Sequence, residues 1–235
     1  MRGFLFYTLP QNLYWPISLH LAYQKQTMKN LLLILFTVLS ISTFAQNFEG
    51  EIVYANTYKS KSMLVSDDQL TSMMGAKQNY FMKGAEYKSV MNGKLIEWQL
   101  YNSKENKLYN KMGNTETVYW NDAAVNPDIV QKAELHKGVT TILGYKCDEL
   151  VLTCKSGVQK YYFNSKLVID AKLFLNHKYG NWYEYLQKAN AVPLKMVIES
   201  DQFTIESVAT EVKPSKVDDK IFVLAPNTKT AKSPY

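Results

Sequence analysis

The sequence is almost without arginine: Arg2 is the one arginine in 235 residues, and every other basic side chain is a lysine or one of three histidines. Guanidinium forks are what grip phosphates, carboxylates and guanine edges in a bidentate way, and the lysines here are scattered rather than gathered into a stripe. Nucleic-acid binding is therefore not expected. Histidine is also scarce, and His136 and His177 stand far apart with no H-E-x-x-H or C-x-x-C company. A zinc site, or a serine or cysteine triad, has little to build on, so no catalytic residue, metal or cofactor is expected. Asp67-Asp68, Asp148-Glu149 and Asp218-Asp219 are adjacent carboxylates whose side chains diverge, which suits helix N-terminal charges or solvated faces. No glycine-rich phosphate loop is present. Cysteine is limited to Cys147 and Cys154. One continuous strand would hold them about 23 Å apart and on opposite faces, whereas a disulfide needs Cα atoms within about 7 Å. Two free thiols are expected.

What is present begins with Met28 to Gln46, MKNLLLILFTVLSISTFAQ. Lys29 supplies a positive n-region, Leu31 to Ile41 an apolar h-region, and Thr43-Phe44-Ala45 a small-x-small cleavage site, placing the cut between Ala45 and Gln46. The apolar run is shorter than the ~20 residues a membrane span requires, so the mature chain is expected to carry no integral membrane segment. No cysteine follows the h-region to carry a lipid, which points to release as a soluble protein in the periplasm or outside the cell. A signal peptide behind a leader would not work, so residues 1–27 read as an upstream extension from a start codon placed too early, with Met28 the first residue. The formal charge falls from +6 to +3 when Arg2, Lys25 and Lys29 leave. Residues 46–226 then form a single β-rich domain large enough to bury one core, and 227–235 read as a flexible tail.

Short alternating runs separated by turn residues mark an antiparallel meander. Strands are expected through Phe48–Tyr58, Asn79–Met82, Glu86–Met91, Lys94–Tyr101, Lys107–Lys111, Glu116–Trp120, Val139–Leu143, Lys146–Cys154, Gln159–Asn164, Leu194–Ser200, Phe203–Val212 and Ile221–Leu224. Asn92-Gly93 carries the strongest signal for a type I′ hairpin turn. Residues 121–136 are too polar and irregular to assign. A helix is expected from Ser66 to Met74, opened by the S-x-x-Q capping box of Ser66 and Gln69 and stopped at Gly75. A second runs from Asn181 as N-cap to Lys188, with Pro193 barring its continuation. Most strands carry one apolar face, and ten or more strands cannot lie flat. The fold class is therefore mainly β, a curved antiparallel half-barrel with one or two short helices as plug or lid.

Aromatics are abundant, with 17 tyrosines in the chain. One reading is strand propensity and core packing; the other is a deep apolar pocket that grips an acyl chain or an apolar peptide. On the second reading the lining would be Ile96, Trp98, Leu100, Leu150, Leu152, Met196 and Ile198, with Trp182 and Tyr185 above it from the second helix. TILGYKC (141–147), with FEGEIVY (48–54) before it and VPLKMVIE (192–199) and IFVLAP (221–226) after it, resembles a family of exported bacterial proteins of unknown function. That family is similar to the LolA-like and LolB-like half-barrels of the outer-membrane lipoprotein carrier superfamily. The resemblance implies a concave apolar surface able to hold lipid and names no catalytic residue; lacking the arginines that carriers use near the cavity mouth, this chain is not expected to hand over lipoproteins. The expectation is thus a non-catalytic periplasmic protein that binds lipid or another apolar ligand. The alternative is a structural or protein-interaction module of the envelope whose barrel is filled by its own side chains.

Overall fold

The structure, a computed structural model, describes residues 46–234. The leader, the signal peptide and Ala45 lie outside the described residues. One twelve-stranded sheet is built from β1 (Gly50–Ser60), β2 (Lys77–Lys83), β3 (Glu86–Met91), β4 (Ile96–Asn102), β5 (Lys107–Met112), β6 (Val118–Asp122), β7 (Val130–Ile142), β8 (Tyr145–Cys154), β9 (Gly157–Val168), β10 (Ala191–Glu199), β11 (Phe203–Pro214) and β12 (Thr230–Lys232). Its order is β12-β6-β5-β4-β3-β2-β1-β11-β10-β9-β8-β7. The chain starts in the middle at β1, meanders outward to β6, crosses to the far edge and meanders back until β11 pairs with β1.

That crossover dictates the curvature. Ten inter-strand spacings separate β6 from β7, about 48 Å in a flat sheet, yet eight peptide steps from Asp122 to Val130 reach at most about 28 Å. The sheet must curl, and its two edges approach without pairing. All the pairings are antiparallel except that of β12, which runs parallel to β6. Among the described residues no helix is long and apolar enough to cross a membrane.

The first helix, α1 (Asp67–Met74), forms as its capping box requires: the Ser66 side chain accepts from Gln69 N–H and the Gln69 side chain accepts from Ser66 N–H. It ends at Gly75, whose φ of 96° favours glycine. A Cβ on Gly93 would lie 2.4 Å from the Met73 carbonyl. Gly93 is therefore there for close approach to α1, and Asn92-Gly93 is not a type I′ turn, since neither residue has positive φ. A hairpin turn with both central residues at positive φ is found instead at Leu143-Gly144, at 49° and 80°, between β7 and β8.

Four further expectations are corrected. Residues 130–136 are not irregular: they open β7, a polar edge strand that one-sided pairing with β8 defines and that has no dry face to betray it. Ile221–Leu224 is not a strand, because a 3-10 turn at Asp219–Phe222, capped by Asp218, turns the chain across the outer face of the sheet. Nor is 227–235 simply a tail, since β12 lies within it. The two cysteines do not face opposite ways: both are buried, unbridged, in one core. Strict alternation fails where β8 passes the irregular stretch between His136 and Thr140 of β7.

Candidate functional site

Cross-strand register brings Met82, Tyr87, Tyr101 and Leu108 into one row on the concave face. Against this row lies the segment between β9 and β10: a 3-10 turn at Ala171–Phe174, a second at Tyr179–Asn181, and the helix α2 (Trp182–Ala189). The segment folds this way because Asp170 caps the first turn, Gly180 and Asn181 take left-handed φ values near 60°, and Asn190 closes α2 in the same conformation. Asn181 stands at the N-cap position as expected, but its side chain does not cap the helix.

The result is a filled interior. Tyr54, Tyr80, Tyr87 and Tyr101 form a chain of ring contacts 5.3 to 6.3 Å apart, and Phe174 and His177 from the plug stack on its end. On the other side Tyr185 stacks on Tyr161 at 4.3 Å and Trp182 leans on Tyr185. Phe174, Tyr185 and Leu186 are each 0% exposed. Burial pushes the phenols of Tyr54, Tyr80, Tyr87 and Tyr185 well up, so they act as neutral hydroxyls. Tyr54 donates to the Pro193 carbonyl at 2.6 Å and Tyr185 to the Ala191 carbonyl at 2.8 Å. His177 pairs through Nε2 with the Tyr87 hydroxyl at 2.7 Å, and burial pulls its pKa down to about 3. Its Nδ1 and the Trp182 Nε1 are buried without a partner among the described residues. A buried neutral imidazole beside a phenol packed to such a degree is placed to hold the plug rather than to reach a substrate.

A polar clamp locks the plug to the crossover. Asp128 accepts from Ser156 N–H, Ser156 Oγ, Gln159 Nε2 and Asn181 Nδ2, at 2.8 to 3.3 Å. Asn181 Oδ1 accepts from Asn126 at 2.6 Å, and its Nδ2 also reaches the Cys154 sulfur at 3.3 Å. Desolvation, with Asp128 close by, pushes the Cys154 thiol up to about 12. It is therefore held as a thiol, and a thiol is a poor nucleophile. His136 lies on the surface, paired with Glu149 at 2.7 Å. Among the described residues no three His, Cys, Asp or Glu side chains gather where they could hold a metal.

The expected lining divides among three places. Leu150, Leu152, Met196 and Ile198 stand with Trp182 and Tyr185 in or against the plugged concave core. Trp98 and Leu100 instead face outward, with Tyr109, Val118 and Phe222 in a second, smaller core beneath the C-terminal strap. Ile96 parts company with them because the register shifts between Ile96 and Trp98, leaving Glu97 as an extra residue. Ile96 lines an open trough of about 600 Å³ at the margin of the plug, walled by Met112 and Tyr119 from the sheet and Tyr179 from the plug. Across its floor runs a ladder of amides, Gln99 donating to Asn110 at 2.8 Å and Asn110 to Asn121 at 3.2 Å. The sequence reading named His177 only as an isolated histidine and Asn181 only as an N-cap, and missed Asp128 and this ladder. Only Gly180-Asn181 carried a local signal, the taste of that pair for left-handed φ.

No family model matches the chain, and no curated protein matches it. Among solved structures it is similar to the structure of PNGF-II, at 14% identity and a TM-score of 0.45, the match covering 79% of this chain and 32% of that one. The chain thus spans about a third of the length of that protein. A likeness at this level leaves fold and function to be read from the chain itself.

Proposed function

We propose that the protein is an exported, non-catalytic module of the cell envelope that works through its outer surface, its half-barrel being filled by its own side chains except at the open, amide-floored trough beside Ile96. The observation that carries this reading is the plug: Phe174, His177, Asn181, Tyr185 and Leu186, each at most 1% exposed, occupy the concave side on which a lipid would have to lie. An acyl chain gains ~0.8 kcal/mol per buried CH₂, but here it would first have to displace aromatic pairs that already bury that surface. The signal-peptide pattern of Met28 to Gln46 supports export. The buried, neutral state of His177 and the raised thiol of Cys154 support a non-catalytic role.

The test is native mass spectrometry of protein recovered from its own envelope, together with titration by a fluorescent fatty acid. The protein is expected to come out empty and to show no saturable uptake. A bound species of lipid mass that survives in the folded protein would overturn the reading in favour of a protein that binds lipid or another apolar ligand.

A further inference from the structure

The outer face of β3 to β6 repeats in two rows. Register places Lys88, Leu100, Tyr109 and Trp120 in one row and Val90, Trp98, Lys111 and Val118 in the next. The chain after β11 straps across these rows: Phe222 and Val217 pack on Leu100, Tyr109 and Val118, and β12 ties the end of the strap to β6. Between sheet and strap an open pocket of about 530 Å³ remains, within the range that small ligands occupy. Its floor holds Lys88, Trp98 and Lys111, and its strap side holds Leu224, Thr228 and Lys229.

The charges in this pocket do not cancel. The Lys88 ammonium sits 4.9 Å from the Trp98 ring centroid and has neither an ion pair nor a hydrogen bond among the described residues. Half-buried, it is held below the usual lysine value by desolvation. A cation taken partly out of water without an acceptor is a cost that a native fold normally offsets with a partner. Lys229 likewise has no acid beside it among the described residues, and the Lys111 ammonium is fixed over the pocket by the carbonyls of Met112 and Thr115, at 2.9 and 2.8 Å. The opposing carboxylates are Glu116 in the lining and Glu97, 3.5 Å from Lys111. Three cations against these two leave a net positive pocket with an indole and Leu224 for walls.

We infer that this pocket binds a small organic anion, a carboxylate or phosphate group on an apolar skeleton, with Lys88 pairing the anionic oxygens and Trp98 and Leu224 contacting the carbon body. The inference rests on the reading that the outer surface carries the function, and it names the ligand class that surface takes.

Phenyl phosphate, benzoate, inorganic phosphate and neutral benzyl alcohol are titrated into the purified protein while the Trp98 indole N–H is followed by NMR, the signal being assigned from the Trp98→Phe variant. A saturable shift with phenyl phosphate, benzoate or both is expected, the arms separating phosphate from carboxylate, with benzyl alcohol and inorganic phosphate each about tenfold weaker or worse. Lys88→Gln should weaken the organic anion about tenfold while leaving the melting temperature unchanged, and Lys137→Gln, on β7, should leave binding unaltered. No saturable shift from either organic anion, equal binding by Lys88→Gln, or equal binding of the alcohol or of inorganic phosphate overturns the inference. Lipid in the interior would instead perturb Trp182, so failure of the surface reading is told apart from failure of this one.

Discussion

At the scale of single residues, His177 makes the fold acid-sensitive. Its pKa is lowered from 6.5 to about 3 by burial in the plug, so between those values the unfolded chain binds a proton that the folded one refuses. The stability in question is whole above about pH 6.5 and is lost as pH falls toward 3, with a slope of up to about 1.4 kcal/mol per pH unit. Urea melts at pH 6.5 and 5.0 should therefore show a loss of about 1–2 kcal/mol in the native protein, a window above the range in which the paired carboxylates titrate. His177→Gln should flatten that loss; parallel behaviour of the two proteins would sink the assignment. Asp128 acts differently, through geometry. Replacing it by Ala leaves Asn181, which is 0% exposed, and Gln159 short of an acceptor, at about 1–3 kcal/mol for each orphaned group. Asp128→Ala should lower stability by about 2–4 kcal/mol in equilibrium unfolding, and a change under half a kcal/mol would show that the clamp is not what holds the plug.

At the scale of elements, the β7–β8 hairpin carries its own strain. Leu143 adopts φ 49° in a two-residue turn where a Cβ crowds the following carbonyl, and it is exposed, so no burial compensates. Leu143→Asn should stabilise the protein by about 0.5–1 kcal/mol, visible as a raised midpoint in urea. A lowered midpoint would mean that the leucine makes contacts worth more than its strain. TILGYKC, the run that carried the family resemblance, is thus the tip of this hairpin and the start of β8, a turn motif with Cys147 buried behind it. The chemistry attributed to elements also shifts: the second helix is not a lid over a void, since Tyr185 and Leu186 are its buried face.

At the scale of the whole molecule, the order of the sheet predicts the order of opening. β1 is paired along its length with β11 and over Gly50–Ala55 with β2 as well, while β7 is paired only to β8 and β12 only to β6. Local unfolding should begin where few buried contacts and many exposed backbone groups coincide. Native-state hydrogen exchange is expected to show β12 and β7 exchanging first, and the amides of β1 only with global unfolding. Exchange of β1 as fast as that of β7 would contradict a sheet centred on β1. The same topology explains why the molecule has two dry regions. The curled sheet has an inner face closed by the segment between β9 and β10 and an outer face partly closed by the strap after β11.

What the sequence by itself determined was local. Alternation located most strands and with them the mainly β class, Ser66 and Gln69 located the first helix to its cap, and abundant tyrosine left open whether the rings pack a core or line a pocket. The strand and helix signals are legible because each depends on neighbours a few residues away. Only the tertiary structure decided which face each strand turns inward. One extra residue at Glu97 separated Ile96 from Trp98 and Leu100, and since side chains alternate with period two, a single-residue shift reverses every side chain beyond it. It also decided that the polar first half of β7, residues 130–136, is strand, because its partner lies beyond the turn and it has no apolar face to declare itself. And it decided whether the inner face of the curled sheet is open or covered: that depends on which of two aromatic surfaces, far apart in sequence, closes on the other, and here α2 and its preceding turns lie against the tyrosines of the sheet.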